Sequence, residues 1–266
     1  MPLLLKALVM GIVEGVTEFL PISSTGHLIL VGDWIGYPEA SRVTMEIFIQ
    51  MGAILAVFWQ YGAALRDLAV RAPHDGAARD LIAKVLLAFV PAAVVGLLFH
   101  HAIEEHLFNP LSVASALVLG GILLIVIERR PRAVTIETVE ATRWSDALWV
   151  GVAQVASLFP GVSRAGATIV GGLLVGMSRP AATDFSFYLA LPTVSAASLF
   201  SLAKDIHLLD RGDVAPLAVG FVAAYVSALL VIRSFLRFVR SHDFQGFGWY
   251  RIVFGAIVLV FLRRGG

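Results

Sequence analysis

Along the chain, apolar runs near the ~20-residue length of a bilayer span alternate with short polar breaks. They mark ten segments, at roughly 3–20, 27–36, 45–62, 81–101, 111–128, 145–158, 166–178, 184–203, 214–232 and 249–263. Two pairs stand apart, 3–20 with 27–36 and 145–158 with 166–178. Each is interrupted by a proline and a Ser/Gly cluster, and the second arm of each is too short to cross a bilayer. The pattern predicts an all-α polytopic membrane protein.

The two interrupted pairs resemble each other. A shift of 140 residues lays Gly11 on Gly151, Glu14 on Gln154, Ser23 on Ser163, Gly26 on Gly166, Gly32 on Gly172 and Gly36 on Gly176. Pro21 and Pro160 match with a one-residue slip. The chain is expected to be one membrane domain, 1–266, built from repeat halves at about 1–130 and 140–266. If each interrupted pair dips in and returns, each half is a re-entrant helical hairpin plus three transmembrane helices. Three is odd, so the second half is inverted relative to the first. Broken segments at corresponding places of inverted halves predict a site near the bilayer midplane. Irregular backbone at that depth must be buried in protein or line a wet cavity.

Composition agrees. The 266 residues are 58% hydrophobic and 15% charged, where a soluble domain carries about a quarter charged residues. The net charge of +1 and the lack of a basic-aromatic patch give no ground for a nucleic-acid partner. With no cysteine, disulfides and thiolate metal sites are excluded. "MPLLLKALVMG" lacks the features of a removed signal peptide. In this topology thirteen of the 20 Lys and Arg, Arg251 among them, fall on one face; six fall on the other, and Arg164 lies inside. The richer face should be cytoplasmic, which puts both termini and the entry of the first hairpin outside.

Polar chemistry concentrates in "EGVTEFLPISSTGH" at 14–27. Glu14 and Glu18 are four apart and share a helix face. Carboxylates inside a membrane are expensive and usually functional. Two readings of the pair stay open: they hold a hard divalent cation, or they divide acid and base duties. Pro21 ends their helix, and a short helix should start near Gly26 or His27. "PGVSRAGAT" at 160–168 repeats the design, with a helix starting near Gly166. Two half-helix N-termini would then converge, each attractive to phosphate. The repeat differs where Ser24 meets Arg164. Arg suits phosphate because its planar fork binds two oxygens; the alternative is a structural partner for Glu18. With His27 three residues beyond Ser24, the set holds a hydroxyl, a base and an anion clamp, the parts of phosphoryl transfer.

Weaker candidates are bland. His100, His101, His106, Glu104 and Glu105 read as a solvated outer connector rather than a metal cluster. Pro91 and Pro192 should kink spans. The five tryptophans fall near segment ends, as interfacial belts require.

"EGVTEFLPISSTGH" and "PGVSRAGAT" resemble the two signature regions of the undecaprenyl-diphosphate phosphatases, the bacitracin-resistance type. "FIQMGAILAV" (48–57), "PAAVVGLL" (91–98) and "FSFYLALPT" (185–193) extend the resemblance over nearly the whole chain. It implies a usually dimeric, multi-pass enzyme of the bacterial inner membrane. That enzyme hydrolyses undecaprenyl diphosphate to undecaprenyl phosphate and inorganic phosphate at the outer side. The lipid carrier is thereby recycled for peptidoglycan, and bacitracin resistance follows. The matching positions imply catalytic roles for Glu14, Glu18, Ser24, His27 and Arg164. Phosphate binding is expected from Ser23, Thr25, Gly26, Ser163, Arg164, Gly166 and Thr168, and a bound Mg²⁺ or Ca²⁺ on Glu14 and Glu18. The family commonly has Ser-Arg-Ser where this chain has Ser163-Arg164-Ala165, so Ala165 is given no polar role. A secondary transporter or lipid flippase would suit broken helices equally well. The density of reactive groups favours the enzyme. A type-2 phosphatidic acid phosphatase is discarded, because no His follows Ser163-Arg164 at the needed spacing.

Overall fold

The computed structural model describes residues 1–107, 109–131, 133–205 and 214–264. Among them are eleven α-helices and two single-turn 3-10 helices; the only bridge pairs Ile136 with Met177. The first half contributes α1 (Leu3–Thr17), α2 (Ser24–Trp34), α3 (Glu39–Gln60), α4 (Gly62–Arg71), α5 (Gly76–Leu107) and α6 (Pro110–Arg129). The second contributes α7 (Trp144–Val155), α8 (Arg164–Leu174), α9 (Arg179–Asp205), α10 (Val214–Phe238) and α11 (Gln245–Arg264). Helices α3, α5, α6, α9 and α10 are long and apolar enough to cross a membrane; the apolar part of α11 is shorter.

Helices α1 and α7 stop for a local reason. Pro21 and Pro160 have no N–H to continue the ladder, so α1 ends at Thr17 and α7 runs out through a 3-10 turn at Ala156–Leu158. Helices α2 and α8 begin two residues earlier than the sequence suggests, at Ser24 and Arg164. Ser23 and Ser163 take positive φ, 71° and 75°, and that reversal frees the very next residue to be helical. The Ser163 hydroxyl then caps α8 by accepting the Gly166 N–H at 3.1 Å. Both short helices end alike, with Gly36 and Gly176 at positive φ. Tyr37 N–H reaches the Gly32 carbonyl, and Met177 N–H reaches that of Gly172.

Packing is reciprocal between the halves. Helix α1 lies along α10, α7 lies along α5, and α6 lies along α11. Gly11 and Gly151 permit the first two crossings. A Cβ on Gly11 would come 2.2 Å from the Gly220 carbonyl oxygen, and one on Gly151 2.4 Å from that of Ala88. Pro91 and Pro192 sit inside α5 and α9, as expected.

Two expectations need correction. Residues 100–107 belong to α5 rather than to a connector, because the helix continues unbroken to Leu107; the side chains of His100 and Glu104 lie outside the described residues. Arg251 is not a face cation. It is 2% exposed, and its guanidinium is satisfied by backbone carbonyls inside the bundle.

Candidate functional site

The two broken-helix loops meet, with residue pairs far apart in sequence brought into contact. Glu18, just past the end of α1, reaches across to Arg164 at the start of α8, with Nη2 to Oε1 at 3.3 Å. Ser24, the first residue of α2, donates its hydroxyl to the other Glu18 oxygen at 2.6 Å. The carboxylate thus holds the hydroxyl of one loop and the guanidinium of the other. Arg164 is anchored further by Nη1 donation to the Ser186 carbonyl at 3.2 Å, and its Cζ lies 5.7 Å from the Phe19 ring centroid. Its Nε is buried with no acceptor among the described residues.

These groups wall a polar cavity of about 170 Å³, lined by Glu18, Ser23, Ser24, Thr25, Ser163 and Arg164. The other wall comes from Gln50 on α3, Ser157, and Thr193 on α9. The sequence reading missed these three. Gln50 and Thr193 lie in "FIQMGAILAV" and "FSFYLALPT", where a single amide or hydroxyl among apolar neighbours gives no local sign of a site. Both are held by neighbours: Ser198 donates to the Gln50 amide oxygen at 3.0 Å, and Thr193 to that of Gln154 at 3.3 Å.

The remaining expected residues stand behind this wall. Glu14 is 1% exposed, and its Oε2 has no donor among the described residues. Thr168 is buried and shares a 2.6 Å hydroxyl bond with Ser186, so it supports the anchor of Arg164. The Gly166 N–H is taken by the Ser163 cap. His27 turns away from the cavity. Its Nδ1 meets the Ser23 carbonyl at 2.7 Å, its Nε2 meets the Tyr250 hydroxyl at 2.7 Å, and its ring stacks on Phe254. Positions i and i+3 share a helix face, so the spacing alone would have put His27 beside Ser24; its bond to Tyr250 and its stacking on Phe254 draw it to α11, and nothing in the sequence pointed to Tyr250.

Gly26 opens instead onto a separate apolar groove of about 480 Å³, walled by Ile29, Leu30, Val113 and Val258 among others. Helix α2 therefore presents its first turn to the polar cavity and its later turns to the groove.

Among the described residues no three His, Asp or Glu side chains cluster as a metal cage. A divalent cation would need substrate oxygens to complete its shell. The orphaned Glu14 oxygen, with Glu18 beside it, fits a hard cation, which takes carboxylate oxygens.

The bacitracin resistance protein BacA family model matches residues 7–257. An undecaprenyl-diphosphatase of Aromatoleum aromaticum is 50% identical over 259 residues, covering 97% of this chain and 94% of that protein. One from Dechloromonas aromatica is 52% identical over 263 residues, covering 99% and 96%. An undecaprenyl-diphosphatase 1 of Chromobacterium violaceum is 51% identical over 258 residues, covering 97% and 96%.

Proposed function

The chain belongs to the bacitracin resistance protein BacA family, and on that premise we propose that it is a multi-pass membrane undecaprenyl-diphosphatase. It hydrolyses undecaprenyl diphosphate to undecaprenyl phosphate and inorganic phosphate, returning the lipid carrier to peptidoglycan synthesis and giving bacitracin resistance. The observation that carries this function is the Ser24–Glu18–Arg164 contact, which joins a hydroxyl, a base and an anion clamp in one cavity.

The mechanism follows from the geometry. The terminal phosphate enters the cavity, where Arg164 offers charge-assisted donors to its oxygens. The Ser24 oxygen attacks the terminal phosphorus while Glu18, already accepting that hydroxyl at 2.6 Å, takes the proton. The bond from phosphorus to the bridging oxygen breaks, undecaprenyl phosphate leaves, and Glu18 returns the proton to its oxygen. Water then attacks the phosphoserine phosphorus and gives a proton to Glu18; the bond from phosphorus to the Ser24 oxygen breaks, Glu18 returns the proton to that oxygen, and inorganic phosphate departs. His27 steadies the loop through the Ser23 carbonyl. Ser23, Thr25 and Ser163 line the phosphate's path, with Thr168 and Gly166 behind them. Glu14 and Glu18 would hold Mg²⁺ or Ca²⁺, whose charge would offset that of the diphosphate. The polyprenyl tail takes the apolar groove, since α2 borders both compartments.

The same proposal includes inverted repeat halves at about 1–130 and 140–266, each with a re-entrant hairpin. The reciprocal pairing of α1 with α10 and of α7 with α5 supports it. It also includes a homodimer in the bacterial inner membrane, with both termini outside and the site open to the outer face.

The test is phosphate release from detergent-solubilised protein given undecaprenyl diphosphate, with and without chelator. Release without any membrane gradient is expected, and none would remove the enzyme reading in favour of a carrier. With terminally labelled substrate and rapid quench, label should appear on Ser24; its absence would make water the nucleophile and Ser24 a ligand.

A further inference from the structure

Arg251 lies on α11, outside every stretch assigned to the site, and does not itself line the phosphate cavity. Its bonds nevertheless run to both broken-helix loops. Nη1 donates to the Pro21 carbonyl at 3.2 Å and the Val162 carbonyl at 2.8 Å. Nη2 donates to the Gly161 carbonyl at 3.0 Å and the Ala116 carbonyl at 3.1 Å, and Nε to that of Leu117 at 3.3 Å. No carboxylate is among these partners. Five carbonyl dipoles from three segments hold one buried cation.

A planar guanidinium with its five N–H donors suits that role, because it can address several acceptors in a fixed fan. Pro21 stands three residues before Ser24, and Val162 two before Arg164. The two loops are thus tied to a common point behind the residues that meet in front. The planar trans peptide sets a carbonyl opposite the following N–H. Turning the Val162 carbonyl onto Arg251 therefore turns the Ser163 N–H away from it. Room for the head group comes from Gly120, where a Cβ would sit 2.1 Å from Nη2 and 2.7 Å from Cζ.

We propose that Arg251 is the positioning residue that holds the Pro21 loop and the Gly161–Val162 loop in register, so that Ser24 and Arg164 face one phosphate. The proposal rests on the phosphatase function above for its kinetic consequence and on geometry alone for its structural one. Lysine at this position keeps the charge but offers a single nitrogen, which cannot span both loops. Alanine at Gly120 keeps Arg251 and displaces its head group.

The experiment uses the full chain, which lacks cysteine, so that Val162→Cys supplies a unique thiol on the second loop. Arg251→Lys and Gly120→Ala are each compared with their parent. Both should lower kcat about 100-fold, as misplacement by ~1 Å does, with KM held within about threefold. In the Val162→Cys background both should raise the maleimide labelling rate severalfold. Should Arg251→Lys misfold, Gly120→Ala decides. A kcat within about threefold of the parent, a loss confined to KM, or unchanged labelling beside a fallen kcat would overturn the proposal. If the parent itself releases no phosphate, the phosphatase function fails, and the labelling rates alone judge Arg251.

Discussion

Replacing Glu18 by Gln removes one negative charge from the contact between the two loops and almost no volume. The Ser24 hydroxyl now donates to a carboxylate at 2.6 Å. An amide oxygen can still accept that bond, but it cannot take the proton as the serine attacks. Losing a general base lowers turnover by about 10²–10⁴-fold, equivalent to about 2.7–5.4 kcal/mol at 1.36 kcal/mol per tenfold. The second effect falls on Arg164, whose Nη2 loses its ion-pair partner at 3.3 Å. Arg164 keeps its bond to the Ser186 carbonyl, and the new amide oxygen can accept one N–H, so the fold should lose only about 1–3 kcal/mol. The assay is phosphate release at saturating undecaprenyl diphosphate, alongside thermal unfolding of the same preparation. Turnover should fall by at least about 100-fold while the protein stays folded at the assay temperature. Glu18→Asp, which keeps the charge and withdraws it from Ser24, should fall between the two. A folded Glu18→Gln enzyme within about threefold of the parent kcat would refute the base assignment.

Arg164→Lys should lower kcat by about 10- to 100-fold, because one ammonium cannot reach Glu18, Ser186 and the phosphate together; near-normal turnover in the same assay would place the clamp elsewhere. Gly11→Ala should destabilise the protein by about 1–3 kcal/mol, since its Cβ meets the Gly220 carbonyl oxygen at 2.2 Å and α1 must lift off α10. Unchanged thermal unfolding of that variant would contradict the close crossing. Cysteines at Ala102 and Ala133 should label from opposite sides of the membrane with an impermeant thiol reagent, and same-side labelling would break the proposed orientation.

The long apolar helices and the breaks at the two prolines are local features, and they were legible in the sequence. Hydrophobic run length locates the spans, and Pro21 and Pro160 locate the breaks. The 140-residue shift carries the start of α2 onto that of α8, Ser24 onto Arg164, and the glycine cap at Gly36 onto that at Gly176. Ser24, Glu18 and Arg164 were legible as chemistry because hydroxyl, acid and guanidinium are rare company in so apolar a chain. Side-chain direction was not. His27 follows Ser24 by three residues, yet its ring turns to Tyr250 and Phe254, and Glu14 shares a helix face with Glu18 but lies behind the cavity wall. Arg251 misled the charge count for the same reason. A cation near a helix start reads as a face residue until Gly120 and five carbonyls from distant segments are seen around it. Sequence alone therefore determined which segments are apolar enough to cross a membrane, where they break and which reactive groups the breaks carry, since these depend on neighbours along the chain. The tertiary structure alone decided which of those groups face one another and which stand behind them, since that depends on how helices 140 residues apart rotate and pack.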